Sequence, residues 1–307
     1  LTRPRLDAAP MERMRQSILA GIRRASTNPA SIASDTFWST AFPGHPYARR
    51  SSGTTESVTA LGRADLAALH RRMIAREHLK VSVVGDITAA ELGPLLDDVF
   101  GELPARADLV PVPEALIANT GQRRVIPLDI PQATISFGLA GLKRDDPDFF
   151  PAFVMNHILG GGTFSSRLYQ EVREKRGLAY SVSTGLAALD ATGLMTGGTS
   201  TRNDRAAESL AVIEAELKRM GAEGPTPIEL EQAKRYLIGS WALRFETSTQ
   251  IASNLIRIQL DGEKPDYLDR RNGLIEAVGI EDVRRVARRL LGDPKLLVVV
   301  VGKPEGM

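Results

Sequence analysis

The chain has 307 residues, a net charge of +2, 43% hydrophobic and 25% charged residues, and no cysteine. These figures describe an ordinary folded protein with room for about two domains, and they exclude a thiol nucleophile, a disulfide framework and a thiolate metal site. The small net charge argues for neither nucleic acid nor an anionic membrane surface as partner, and no apolar run approaches the ~18 residues of a membrane span.

In chain order, hydrophobic periodicity predicts helices at about 10–24, 30–40 and 63–76, a buried strand at about 80–85 in KVSVVG, and a helix at about 88–100. The stretch ARADLVPVPEALIANTGQ has two prolines and no period, so residues 106–122 are expected to be a linker. Strands follow at about 123–128 and 131–140, helices at about 147–158 and 164–175, and strands at about 178–188 and 192–201. Helices at about 204–221, 227–243, 246–261 and 280–290 precede a last strand at about 296–301. This order suggests an α+β fold, with helices packed on one face of a mainly antiparallel sheet.

Self-comparison adds a duplication. ALGRADLAALHRRMIAREHLKVSVVGD at 60–86 aligns without a gap on AVGIEDVRRVARRLLGDPKLLVVVVGK at 277–303, an offset of 217 (279 minus 62). Gly62 falls on Gly279, Asp65 on Asp282 and Gly85 on Gly302. SIASDTFWST at 31–40 matches QIASNLIRIQ at 250–259, and MERMRQSIL at 11–19 matches LEQAKRYLI at 230–238, both at an offset of 219. The expected organisation is therefore two homologous units: 1–105 as the later part of a first unit, 106–122 as linker and 123–307 as the second. The same arithmetic places the opening segment of the first unit upstream of Leu1, so that unit is expected to be incomplete.

The stretch GGGTFSSRLYQEVREKRGLAY at 160–180 invites three readings: a phosphate cradle, a packing corner, or part of a catalytic site. It is not a Walker A loop, because no lysine follows the glycines, and Ser165 stands where a GxGxxG pattern needs its third glycine. As a corner, Gly160 to Gly162 would end one helix, Thr163 or Ser165 would cap the next, and Leu168 and Val172 would face the core. That leaves Arg173 and Tyr180, which residue chemistry alone reads as a surface arginine and an ordinary strand-starting tyrosine before it reads them as a functional pair. The four histidines, His45, His70, His78 and His157, form neither HExxH nor HxxEH. Glu77-His78 has the right ending, but Ile74 occupies the first histidine position. No zinc site is legible within the chain.

LGGGTFSSRLYQEVREKRGLAYSV resembles the C-terminal-domain signature of the M16 metallopeptidases, the family of pitrilysin, insulin-degrading enzyme and mitochondrial processing peptidase. FPGHPYARRSSGTTESVTAL followed by LKVSVVGDI resembles the later half of that family's N-terminal domain. The resemblance implies two homologous α+β units of the M16 and LuxS-like metallohydrolase type, the duplication being part of it. In active members an HxxEH helix and a later glutamate bind Zn²⁺. Here the HxxEH helix would lie upstream of Leu1, and the later helix reads ILAGIR, with Ala20 and Gly21 at the carboxylate positions and Glu12 as its nearest glutamate.

The resemblance therefore implies a metal-free partner subunit, with Zn²⁺ in an HxxEH-bearing M16 partner chain or in the missing N-terminal segment. In the two-subunit members, the metal-free chain supplies an arginine and a tyrosine seven residues apart, which map to Arg173 and Tyr180. Both would donate to the peptide carbonyl and its oxyanion as a zinc-bound hydroxide attacks. Gly160, Gly161, Gly162, Thr163, Phe164 and Ser165 would help present a peptide bound as an extended strand on a sheet edge. Two alternatives stand beside this: a fragment of a zinc-dependent M16 endopeptidase with HxxEH upstream of residue 1, and a catalytically silent M16-like scaffold. A homodimer is the alternative to the heterodimer, and the resemblance favours a bacterial periplasm over a cytoplasm.

Overall fold

The computed structural model of the protein describes residues 2–307, the side chain of Thr163 excepted. Its helices before the sheet are α1 (Ala8–Ala25), α2 (Pro29–Ala41), α3 (Thr55–Ala60), α4 (Arg63–Met73) and α5 (Ala89–Phe100). Then come β1 (Arg123–Pro127), β2 (Gln132–Ala140), α6 (Phe149–Asn156), β3 (Ala179–Leu189) and β4 (Thr192–Arg202). α7 (Ala206–Glu223), α8 (Pro227–Gly239), α9 (Ser248–Leu260), α10 (Tyr267–Glu276), α11 (Ile280–Leu291) and β5 (Leu297–Gly302) complete the chain. Two compact units result. A helical unit takes Leu1–Arg24, Ser51–Pro111 and Ser240–Asp269, and a sheet unit takes Ala25–Arg50, Val112–Gly239 and Arg270–Met307.

In the sheet unit the strand order is β1-β5-β2-β4-β3. All neighbours are antiparallel except β1 and β5, so the expected α+β sheet is present. β5 is fully buried because it is hydrogen-bonded on both sides and covered on both faces. The alternation of a strand divides its valines. Val298 and Val300 join the main core with Ile135, Phe137, Leu168, Val172, Leu210, Ile213 and Val283. Leu297, Val299 and Val301 face a second core formed with Ala33, Phe37 and Ala41 of α2, and Phe42. Helices are therefore not confined to one face, as the sequence suggests: α2 covers the other. Each fully buried aliphatic or aromatic side chain in these layers contributes about 1.5–3 kcal/mol.

The loop after α2 continues this second layer. Trp38 stacks on Phe42 with centroids 5.6 Å apart, and Tyr47 meets Phe42 edge-on at 5.7 Å. The Tyr47 hydroxyl accepts from the Ala191 amide at 3.1 Å. His45 Nδ1 accepts from the Tyr47 amide, so its Nε2 carries the proton and donates to the Pro113 carbonyl at 3.0 Å. His45 is thus a structural histidine.

The helical unit holds a small core of Leu19, Ile22 and Val58. Arg15 closes the end of α3, donating to the carbonyl oxygens of Thr59 at 3.1 Å, Leu61 at 2.7 Å and Val58. The two segments aligned by the sequence repeat have similar helix starts. The Gly62 amide donates to Asp65 Oδ2 at 2.7 Å at the head of α4, and the Gly279 amide to Asp282 Oδ2 at 2.9 Å at the head of α11.

The strand expected at 80–85 is absent. The segment has irregular backbone, with no ladder partner among the described residues, and the Val81 carbonyl accepts instead from the Gln259 side chain at 3.2 Å. α3 and α10 form where no helix is expected. The helices expected at 147–158 and 164–175 are interrupted. α6 passes into a π-helical turn at His157–Gly161, and a second π turn spans Tyr169–Glu174.

Candidate functional site

The glycine corner is shaped by close approach, not by unusual dihedrals. A Cβ on Gly160 would lie 2.4 Å from Thr184 Oγ1 and 2.9 Å from the Thr184 amide on β3. One on Gly161 would lie 2.6 Å from Asn156 Nδ2, and one on Gly162 2.6 Å from the His157 carbonyl. Only hydrogen side chains let the π turn lie against the strand. The expected serine cap does not form: Ser165 Oγ donates to the Gly162 carbonyl at 3.1 Å. Thr163 lies in a short 3-10 turn, and its side chain is outside the described part of the structure. Leu168 and Val172 are core residues, as their spacing requires.

The second π turn ends on Gly177, whose φ of +58° suits a residue without Cβ. The Gly177 amide donates to the Arg173 carbonyl at 2.9 Å, a left-handed helix ending, and the Leu178 amide donates to the Val172 carbonyl at 2.9 Å. The chain then reverses into β3, an edge strand whose second residue is Tyr180. This reversal brings together two residues seven apart in sequence. The Cζ of Arg173 lies 4.7 Å from the ring centroid of Tyr180.

It also lies 4.8 Å from the centroid of Tyr169, a residue that sequence reasoning passed over. The signal was its place four residues before Arg173, where helical side chains are neighbours. Tyr169 in turn meets Phe164 edge-on at 5.1 Å. Phe164, Tyr169, Arg173 and Tyr180 thus form a contiguous row. Its outer members are open to solvent: Tyr180 is 82% exposed and Phe164 71%. The nearby acid Glu171 is neutralised by Lys175 and Arg176, and hydrogen bonds first from Arg176 and then from Lys175 hold its carboxyl below the usual range. Arg173 has a long contact of 3.7 Å to Glu174.

Between the glycine corner and α8 lies a small cavity of about 40 Å³, lined by His157, Ser165, Glu229, Gln232 and Tyr236 among others. His157 stacks on Tyr236 at 5.0 Å, and burial pushes its imidazole below the ordinary histidine pKa. The helical unit has an apolar cavity of about 440 Å³, walled by Met11, Met14, Ile18, Val58 and Leu61. Neither offers a metal site: no cluster of three histidine, cysteine or acidic residues occurs among the described residues. Ala20 and Gly21 on α1 carry no donor atom. Glu12 has both oxygens engaged, by Gln16 Nε2 at 2.7 Å and Arg15 Nε at 3.0 Å, and these bonds lower its pKa. The residues present do not fit Zn²⁺, which takes nitrogen, sulfur or free carboxylate ligands.

Residues 60–237 match the family model described as the peptidase M16 inactive domain. The chain belongs to the M16 peptidase family. It is of the inactive-domain type. An uncharacterized zinc protease of Mycobacterium tuberculosis is 30% identical over 94% of this M16 chain and 66% of its own length. The probable mitochondrial-processing peptidase subunit beta of Schizosaccharomyces pombe is 28% identical over 100% of this chain and 69% of its own. The crystal structure of a peptidase M16 inactive domain from Pseudomonas fluorescens superposes with a TM-score of 0.86 at 27% identity, covering 98% of this chain and 72% of that one. The M16 chain thus spans 66% of the length of the mycobacterial zinc protease. No helix among the described residues is long and apolar enough to cross a membrane.

Proposed function

We propose that this M16 chain is the metal-free half of a peptidase, giving substrate contacts and hydrogen-bond donors to a zinc-bearing partner with HxxEH. The observation that carries this reading is the solvent-facing contact of Arg173 with Tyr180, at 4.7 Å. A phenol and a guanidinium that share one surface can both donate to a peptide carbonyl oxygen and to the negative charge that grows on it during hydrolysis. Arginine keeps its charge at any working pH. The extended peptide would lie along the edge strand β3, which begins beside the pair, with Phe164 and the glycine corner at its flank. No metal step is assigned to this chain's own residues. The sequence halves 1–105 and 123–307, joined through 106–122, belong to the same reading as the two homologous M16-like units. A bacterial periplasm is the compartment proposed.

The test is cleavage of a fluorogenic peptide by the chain alone and after mixing with an HxxEH-bearing M16 subunit. No turnover is expected from the chain alone. In the complex, Arg173→Ala and Tyr180→Phe should each lower kcat by roughly 10²–10³, the loss typical of one oxyanion donor. Unchanged turnover in both variants would overturn the assignment. A second reading is favoured by the relatives named zinc proteases, which are longer than this chain. In it, the same donors serve a metal held elsewhere in one longer polypeptide. Stoichiometric zinc in the purified full-length gene product would select it.

A further inference from the structure

We propose that Tyr169 is a positioning residue for Arg173, holding the guanidinium in the plane from which its N–H edge meets the substrate carbonyl. This rests on the role of Arg173 and Tyr180 proposed above. An arginine has four freely rotating side-chain bonds, and left alone on a surface it samples many orientations. Here one guanidinium is shared between two ring faces, with Cζ at 4.8 Å from Tyr169 and 4.7 Å from Tyr180. The two rings differ in kind. Tyr180 is 82% exposed and free to reorient, whereas Tyr169 is only 6% exposed and also meets the Phe164 ring in a T-shaped contact. Tyr169 is therefore the fixed member, and the guanidinium takes its plane from it.

Two further observations point the same way. The Tyr169 hydroxyl is buried and has no hydrogen-bond partner among the described residues, so the phenol's polar end is not what keeps the residue in place. The ring face is what it offers, and a cation is attracted to that face. The competing pull on Arg173 is the Glu174 carboxylate, 3.7 Å away on the solvent side. Without the Tyr169 face, the guanidinium is expected to turn toward Glu174. The π turn supports the arrangement. Side chains in a helical turn lean toward its N-terminal end, which carries Arg173 back over Tyr169 four residues earlier.

The experiment has a partner-free arm and an activity arm. In the chain labelled with ¹⁵N-arginine, the Arg173 Nε–H signal should be shifted by ring currents and should have a high order parameter. Tyr169→Phe should preserve both. Tyr169→Leu, or Tyr169→Met should the leucine variant fold poorly, should remove both while circular dichroism and Tm stay near the parent values. With the HxxEH-bearing subunit, Tyr169→Leu should lower kcat about three- to tenfold, the range of one cation–π contact, with KM unchanged. Tyr169→Phe should restore it, and in an Arg173→Ala background Tyr169→Leu should cause no further loss. An unmoved Arg173 signal in Tyr169→Leu, or a kcat loss that persists in the Arg173→Ala background, would overturn the proposal. Failure of Arg173→Ala itself to change turnover sinks the earlier reading instead, and the spectroscopic arm still decides the role of Tyr169.

Discussion

Residues 80–85 and 297–302 are copies of one pattern, KVSVVG and LVVVVG, and they meet opposite fates. The second is the central strand β5, paired with β1 in parallel and β2 antiparallel and buried at every position. The first has no ladder, and Val83 is 44% exposed. A run of β-branched residues is thus permission to form a strand, not a cause of it. The cause is a pair of neighbours with free amides and carbonyls, and a surface on each face to bury against.

The comparison is broken most forcefully by charge. Val300→Asp, in the main core at 0% exposure, should cost about 4 kcal/mol or more, enough to unfold the sheet unit. Val83→Asp should change stability by less than about 0.5 kcal/mol. Urea unfolding followed by circular dichroism measures both, and a large effect at Val83 would mean that the first copy is buried after all.

The helices α8 and α1, also related by the repeat, sharpen the contrast at the next level. α8 opens with Thr226 and Glu229 in reciprocal contact, the Thr226 amide donating to Glu229 at 2.8 Å, and Arg167 pairs with the same carboxylate at 2.6 Å. The repeat places Pro10 where Glu229 stands, and α1 has no acid in its first turn. Burial would raise the Glu229 pKa, but Arg167, aided by Thr226, overrides it and holds the group at about 2. Because the folded value lies below the unfolded one, the stabilisation is complete above about pH 4.5. It should fade as pH falls toward 2, a loss of roughly 2–3 kcal/mol after allowance for solvent screening. Melting temperatures at pH 6 and pH 3 should diverge in the parent and much less in Glu229→Gln.

The smallest effect concerns the glycines that end the two copies. Gly302 has φ of +148°, and a Cβ there would lie 2.9 Å from the Ala133 backbone, so Gly302→Ala should cost about 1–3 kcal/mol. Gly85 has open space around it, and Gly85→Ala should stay within about 0.5 kcal/mol of the parent. Equal shifts in Tm for the two would mean that the two glycines do not differ in crowding or backbone strain.

Much of the sheet unit was legible because its signals are local. LLVVVV reads as a buried strand, and Leu168 and Val172 keep helical spacing toward the core. The Gly–Asp pairs that open α4 and α11 were readable too. What escaped depends on partners or on hydrogen-bond register. The π turns do so because side-chain spacing does not disclose whether an amide reaches back four residues or five. α10 was hidden by Asn272-Gly273, which reads as a breaker. α3 is six residues long, too short for periodicity to register, although Thr54 and Ser57 form a capping box. At the candidate site, Arg173 and Tyr180 were named from resemblance. Their contact required Gly177, and the aromatic face beneath Arg173 could be suspected only from the four-residue spacing of Tyr169.

Because Phe37 and Phe42, from the early part of the chain, seal a sheet spelled out after residue 122, connectivity and architecture are uncoupled. A protease nick in the irregular stretch between α5 and β1 would sever the polypeptide yet leave α2 seated by the same apolar contacts. Two separately synthesised pieces would each carry a bare greasy surface and precipitate, whereas the same pieces made together would find one another, as in a split reporter.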